Sequence, residues 1–118
     1  MAQKLSANAM KKLDVLAEAR RKWDRVHSLV EMTASQKVGQ DMYLSQIKRA
    51  AEDVSRVLMN GGYGPLAGSA GEMALTSKRG GTLQTKLRQM REIVGSVHAG
   101  IDRAEKNVVD GERDQPAG

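Results

Sequence analysis

The 118-residue sequence contains no cysteine and no phenylalanine, and it has only one tryptophan, two tyrosines and two prolines. The absence of cysteine excludes disulfides, thiolate catalysis and the commonest structural zinc sites. Because aromatic residues are so few, a hydrophobic core must be built from Leu, Val, Ile, Met and Ala. That set suits packed helices better than a β-sandwich or barrel, so the sequence predicts an all-α fold.

Long apolar runs are also missing. The uncharged stretch at residues 60–71 is glycine-rich and too short to span a bilayer. Residues 1–12 lack the apolar centre of a signal peptide. We therefore expect a soluble, cytoplasmic protein without a membrane span.

The strongest pattern is a heptad repeat of apolar residues in the last third of the sequence. Its spacing alternates between four and three residues, which places every member on one side of a helix. We expect this helix at residues 82–109, with Thr82 as its N-cap. The repeat, called the heptad stripe below, consists of Leu83, Leu87, Met90, Val94, Val97, Ile101, Ala104 and Val108.

Two further segments have helical periodicity, at residues 5–32 and 34–60. Their apolar faces are out of phase by about a quarter turn, which argues against one continuous helix. Thr33 and Gln36 match a capping box, so a break is expected at residues 33–35. The short connection predicts that these two helices form an antiparallel hairpin.

The sequence between the second and third helices is rich in glycine. Residues 60–81 contain seven glycines, and the entropy cost of ordering them predicts a long loop. The polar residues 110–118 predict a disordered tail. We therefore expect one domain, residues 1–109, with three long amphipathic helices. These would form a three-helix bundle or an intermolecular coiled-coil assembly.

The net charge is +5, and the basic excess falls in two blocks. Residues 1–25 carry seven Lys or Arg against three acids, and residues 61–100 carry five against two. In the third helix the cations lie near the N-terminus and the acids near the C-terminus, opposite to what the helix dipole favours. An anionic partner or an antiparallel neighbouring helix would compensate this polarity. The candidate basic surface comprises Arg20, Arg21, Lys22, Arg25, Lys78, Arg79, Arg88 and Arg91.

No motif for catalysis, metal binding or nucleotide binding is present. His27 and His98 are the only histidines, and the acid at i+3 or i+4 is Glu31 for His27 and Asp102 for His98. Metal sites need several converging ligands, so helix-surface hydrogen bonds explain these pairs better. We expect no enzyme, no metal, no cofactor and no small-molecule substrate.

Two hypotheses about function remain. The leading one is a non-enzymatic interaction protein, a coiled-coil adaptor or scaffold subunit whose heptad stripe binds a partner helix or a second copy of the chain. Its anchors would be Leu83, Leu87, Met90, Val94, Val97, Ile101 and Val108. The alternative is a small basic helical protein that binds nucleic acid or a ribonucleoprotein through the two Lys/Arg blocks.

Overall fold

Residues 5–114 fold into four helices connected by short turns. A computed structural model describes residues 5–114, with the side chains of residues 5–111. The helices are α1 (Ala7–Ser35), α2 (Gln40–Asn60), α3 (Gly64–Lys78) and α4 (Leu83–Asp114). No strand occurs in this described range, which confirms the all-α class. The predicted number of three helices is wrong, because α3 lies where the sequence predicts a loop.

The break between the first two helices lies later than predicted. Thr33 is buried inside α1, and its hydroxyl donates a hydrogen bond to the Leu29 carbonyl at 2.8 Å. The capping box and the predicted break at residues 33–35 are therefore wrong. The chain turns at residues 36–39, where Gly39 has a left-handed φ of 77° that glycine adopts without steric cost.

Most of the glycine-rich segment at residues 60–81 is helical. Pro65 lies in the first turn of α3, where its missing N–H is no loss. Small side chains, including those of Ala67 and Ala70, are buried and let α3 approach α2 closely. The Ser55 hydroxyl also donates to the Ala67 carbonyl at 2.9 Å. These tertiary contacts offset the entropy cost of the glycines, which local propensity alone does not predict.

The last helix is longer than predicted, although its start is correct. The Thr82 hydroxyl accepts a hydrogen bond from the Thr85 amide at 3.2 Å, which confirms Thr82 as the N-cap. Helix α4 then continues to Asp114. The predicted disordered tail at residues 110–118 is therefore wrong for its first five residues. The remaining four lie outside the described residues.

Two glycines permit close contacts between helices. A Cβ added to Gly100 would lie 2.6 Å from Cδ1 of Leu66, so this glycine allows α3 to pack on α4. A Cβ on Gly61, directly after α2, would overlap the Val15 side chain of α1. These glycines therefore set the spacing of neighbouring helices.

The four helices form an antiparallel ring. Lys22 lies beside Asp53, and a Cβ on Gly61 would meet Val15, so α1 and α2 form the predicted antiparallel hairpin. Helix α3 then packs on α2, and α4 packs on both α3 and α1. Among the described residues, α1 does not pack on α3, and α2 does not pack on α4. Each helix is therefore a corner of the ring.

The hydrophobic core runs along the axis of this ring. It is assembled mainly from aliphatic residues, and Trp23 is its largest fully buried side chain. The Trp23 indole N–H donates to the Val94 carbonyl at 3.1 Å, which fixes α1 against α4. None of the helices within residues 5–114 has both the length and the apolar character needed to cross a membrane.

Candidate nucleic-acid interface

The heptad stripe packs mainly into the core of its own chain. Its central residues Met90, Val94, Val97 and Ile101 are buried in the ring. The flanking members Leu83, Leu87, Ala104 and Val108 are half-buried. In this arrangement the central anchors are covered by the chain itself. A partner helix that used them would have to displace packing within the bundle.

The unfavourable charge polarity of α4 is compensated by α1. The Arg91 guanidinium donates to both carboxylate oxygens of Glu31, at 2.9 and 3.0 Å. At the other end of the interface, Arg20 forms ion pairs with Asp102 and Glu105. The antiparallel neighbour therefore supplies the compensation, one of the two explanations that the sequence left open. Arg20 and Arg91, both in the predicted basic surface, are occupied by these contacts.

The other predicted basic residues are distributed over several sides of the bundle. Arg21, Arg79 and Arg88 are exposed, and none of them forms an ion pair with another described residue. Arg25 and Lys22 line a groove between α1 and α2, whereas Lys78 lines a groove between α2 and α3. The eight residues therefore do not form one continuous surface.

The groove between α1 and α2 has a strong excess of positive charge. Four cations and a single carboxylate line this open groove of about 410 Å³. The carboxylate of Asp53 is shared by two of these cations, Lys22 at 2.6 Å and Arg56 at 3.5 Å. The hydrogen bond to Asp53 raises the pKa of Lys22. Arg25 and Arg49 have no ion-pair partner within the described chain.

The excess of positive charge continues across α2 into the groove between α2 and α3. Arg56 also lines the α2/α3 groove, together with Lys48, Lys78 and one acid, Glu52. Lys48 forms an ion pair with Glu52 at 3.5 Å. The contact with Lys48, a like charge, lowers the pKa of Lys78. Lys22, Arg25, Lys48, Arg49, Arg56 and Lys78 are called the basic face below.

Three members of the basic face are absent from the predicted surface. Lys48, Arg49 and Arg56 lie in a part of the sequence where the numbers of acids and bases are equal, so charge counting gives no signal there. The spacing of two of these residues does carry a signal. Residues 49 and 56 are seven apart and therefore lie on the same side of α2.

The two histidines lie together at the interface of α1 and α4. Their ring centroids are 5.8 Å apart in an edge-to-face arrangement, and His98 Nε2 lies 3.0 Å from Asp24 Oδ1. His98 therefore contacts an acid on α1 instead of its sequence neighbour Asp102. No group of three or more metal-ligating side chains converges in the part of the chain that the structure describes.

Apolar surface is exposed near the connection between α1 and α2. Met32, Val38 and Met42 expose 42%, 80% and 57% of their surface. Methionine side chains adapt to irregular partners, so such a patch suits contact with another protein. The chain therefore offers two chemically distinct surfaces, the basic face and this apolar patch. No family model, curated protein or solved structure matches the chain.

Proposed function

We propose that this chain is a non-enzymatic protein that binds nucleic acid through its basic face. The observation that carries the proposal is the α1/α2 groove, where four cations face one carboxylate that two of them already share. The proposal develops the second of the two hypotheses from the sequence. It adds three interacting residues and leaves out the predicted residues that lie elsewhere on the bundle. The added residues are Lys48, Arg49 and Arg56.

The charge arrangement favours a ligand with regularly spaced negative groups. Cations that crowd one face repel each other, and the lowered pKa of Lys78 beside Lys48 reflects that repulsion. A phosphate backbone relieves the repulsion and releases its own counterions, which favours binding without any base contact. Six cations are enough for binding that depends strongly on salt.

The proposal also accounts for the position of the heptad stripe. Its central residues stabilise the bundle, so a function of the folded chain must use other surfaces. The Asp53 and Glu52 carboxylates are held in ion pairs on the basic face, where they position cations. We therefore assign binding, and no catalytic step, to this face.

A charge-matched pair of variants tests this function. R25Q/R49Q removes the two cations of the groove that have no ion pair, so the fold loses no salt bridge. R88Q/R103Q removes the same charge from exposed positions of α4 outside the basic face. Binding is measured by fluorescence anisotropy with labelled DNA and RNA, both single-stranded and duplex, at about 0.1 M salt.

We expect R25Q/R49Q to bind about 10- to 100-fold more weakly than the unmodified chain, because two cations of the groove that contact the nucleic acid are lost. The control should lose only a few-fold affinity through its lower net charge. Absence of binding to every probe would refute the proposal. An equal loss in both variants would show that general charge, and not this face, attracts the ligand.

A second candidate function is the adaptor or scaffold role, carried by the apolar patch of Met32, Val38 and Met42. In this proposal the patch binds a helical partner or a second copy, with the heptad stripe in a supporting role inside the bundle. Light scattering coupled to size-exclusion chromatography at low and high salt tests self-association. Apolar association persists in high salt and is lost in V38D/M42D. A monomer at both salts would contradict self-association.

A further inference from the structure

Helix α2 forms a convex ridge with cations on both flanks. It is a corner of the ring, so both of its grooves, toward α1 and toward α3, are open to solvent. Lys22 and Arg25 lie on the α1 flank, and Lys78 lies on the α3 flank. Arg56 lines both grooves and therefore lies on the ridge itself.

The size of this ridge matches one groove of a nucleic acid duplex. A helix with its side chains is about 10–12 Å wide, and the B-form major groove is about 12 Å wide and admits an α-helix. Neighbouring helices lie about 8–10 Å to either side, so the flanking cations face the two edges of such a groove. Arg49 and Arg56 are separated by a helical rise of about 10 Å, which corresponds to about three base-pair steps.

Building on the proposed nucleic-acid function, we infer that the ligand of the basic face is B-form duplex DNA. In this arrangement α2 lies along the major groove, and the cations on its two flanks contact the two phosphate backbones. Lys22 and Arg25 contact one backbone, and Lys48 and Lys78 contact the other. Arg49 and Arg56 point between them toward the base edges.

The shape and composition of the face disfavour other nucleic acids. An A-form RNA duplex has a major groove too narrow and deep for a helix, and its minor groove is shallow. Proteins that bind single strands use grooves with aromatic side chains on which bases stack. Here Trp23 is buried, and neither Tyr43 nor Tyr63 lines the two grooves of the basic face.

The acids of the ridge are also compatible with this orientation. Glu52 lines the α2/α3 groove and pairs with Lys48, and Asp53 lines the α1/α2 groove and pairs with Lys22, so both acids are held by cations on the flanks. The ridge itself carries Arg56, with Arg49 one heptad earlier on the same side of α2, and arginine is the commonest partner of guanine N7 and O6 in the major groove.

Three probes of one sequence test the inference. They are a DNA duplex of about two helical turns, the matching RNA duplex and the single DNA strand, compared by anisotropy at about 0.1 M salt. We expect the DNA duplex to bind at least about tenfold more tightly than either of the others. Dimethyl sulfate footprinting then reports on guanine N7, which lies in the major groove.

Protection of guanine N7 is expected with the unmodified chain and with the R88Q/R103Q control. It should be lost in R49Q/R56Q, in which circular dichroism checks that the helices remain. Equal or tighter binding of RNA duplex or single strand would overturn the inference while the proposed nucleic-acid function stands. Duplex binding without N7 protection would also overturn it. If neither these three probes nor single-stranded RNA binds, the proposed function itself fails.

Discussion

Replacement of Ile101 by alanine tests whether the heptad stripe is internal packing of a single chain. Ile101 is fully buried in the core, and the substitution removes three carbon atoms from it. At about 0.8 kcal/mol for each buried methyl or methylene group, the transfer term is about 2.4 kcal/mol. The cavity that remains adds to this loss, so we expect a total of about 3–4 kcal/mol.

Leu75 provides a matched control for this substitution. It also lies within a helix and loses three carbon atoms on replacement by alanine, but 60% of its surface is exposed. We expect Leu75→Ala to change stability by less than about 1 kcal/mol. Urea unfolding is followed by circular dichroism and by the fluorescence of Trp23, the single tryptophan, which is buried beside α4.

Protein concentration distinguishes internal packing from association. If the stripe packs within one chain, the unfolding midpoint of Ile101→Ala is the same at low and high protein concentration. If the stripe joined two chains, the midpoint would rise with concentration, because association stabilises only the folded state. A concentration-dependent midpoint, or a loss no larger than that of Leu75→Ala, would refute the internal assignment of the stripe.

Two further predictions concern stability. Gly95 has open space around its α-carbon, so Gly95→Ala should stabilise the fold by as much as about 1 kcal/mol. Gly61→Ala should destabilise it by about 1–3 kcal/mol, because the added methyl group overlaps Val15. Urea unfolding of both variants measures these opposite changes in the free energy of unfolding. Hydrogen bonds from Arg91 lower the pKa of Glu31, so this pair stabilises the fold above the ordinary glutamate pKa and loses its contribution as the pH falls through the lowered value. On acidification from about pH 7 to pH 3, the free energy of unfolding of Glu31→Gln should therefore fall less than that of the unmodified chain. An equal fall would contradict a stabilising role for the Glu31–Arg91 pair.

Features that depend on local chemistry could be predicted from the sequence. The all-α class, the end of α2 at Asn60 and the N-cap at Thr82 follow from periodicity, glycine placement and hydroxyl capping. Helix α3 could not be predicted in this way. It is stabilised by contacts of Ala67 and Ala70 with other helices, and such contacts override low helix propensity.

The candidate site was only partly visible in the sequence. Lys22 and Arg25 belong to a basic block, but Arg49 and Arg56 lie where acids and bases balance. Acids and bases are equal in number along this part of the sequence, but they are not evenly distributed on the folded surface. Asp53 pairs with Lys22 from another helix, which leaves Arg49 without a carboxylate partner among the described residues.

The salt dependence of nucleic-acid binding tests the central claim most directly. Four phosphate contacts, from Lys22, Arg25, Lys48 and Lys78, predict that the logarithm of the binding constant falls with the logarithm of salt concentration with a slope of about −3.6. R25Q/R49Q loses one of these four contacts, so its slope should be about −2.7, and for R88Q/R103Q the slope should stay near that of the unmodified chain. A slope near zero, or an equal change in both variants, would contradict binding through the basic face.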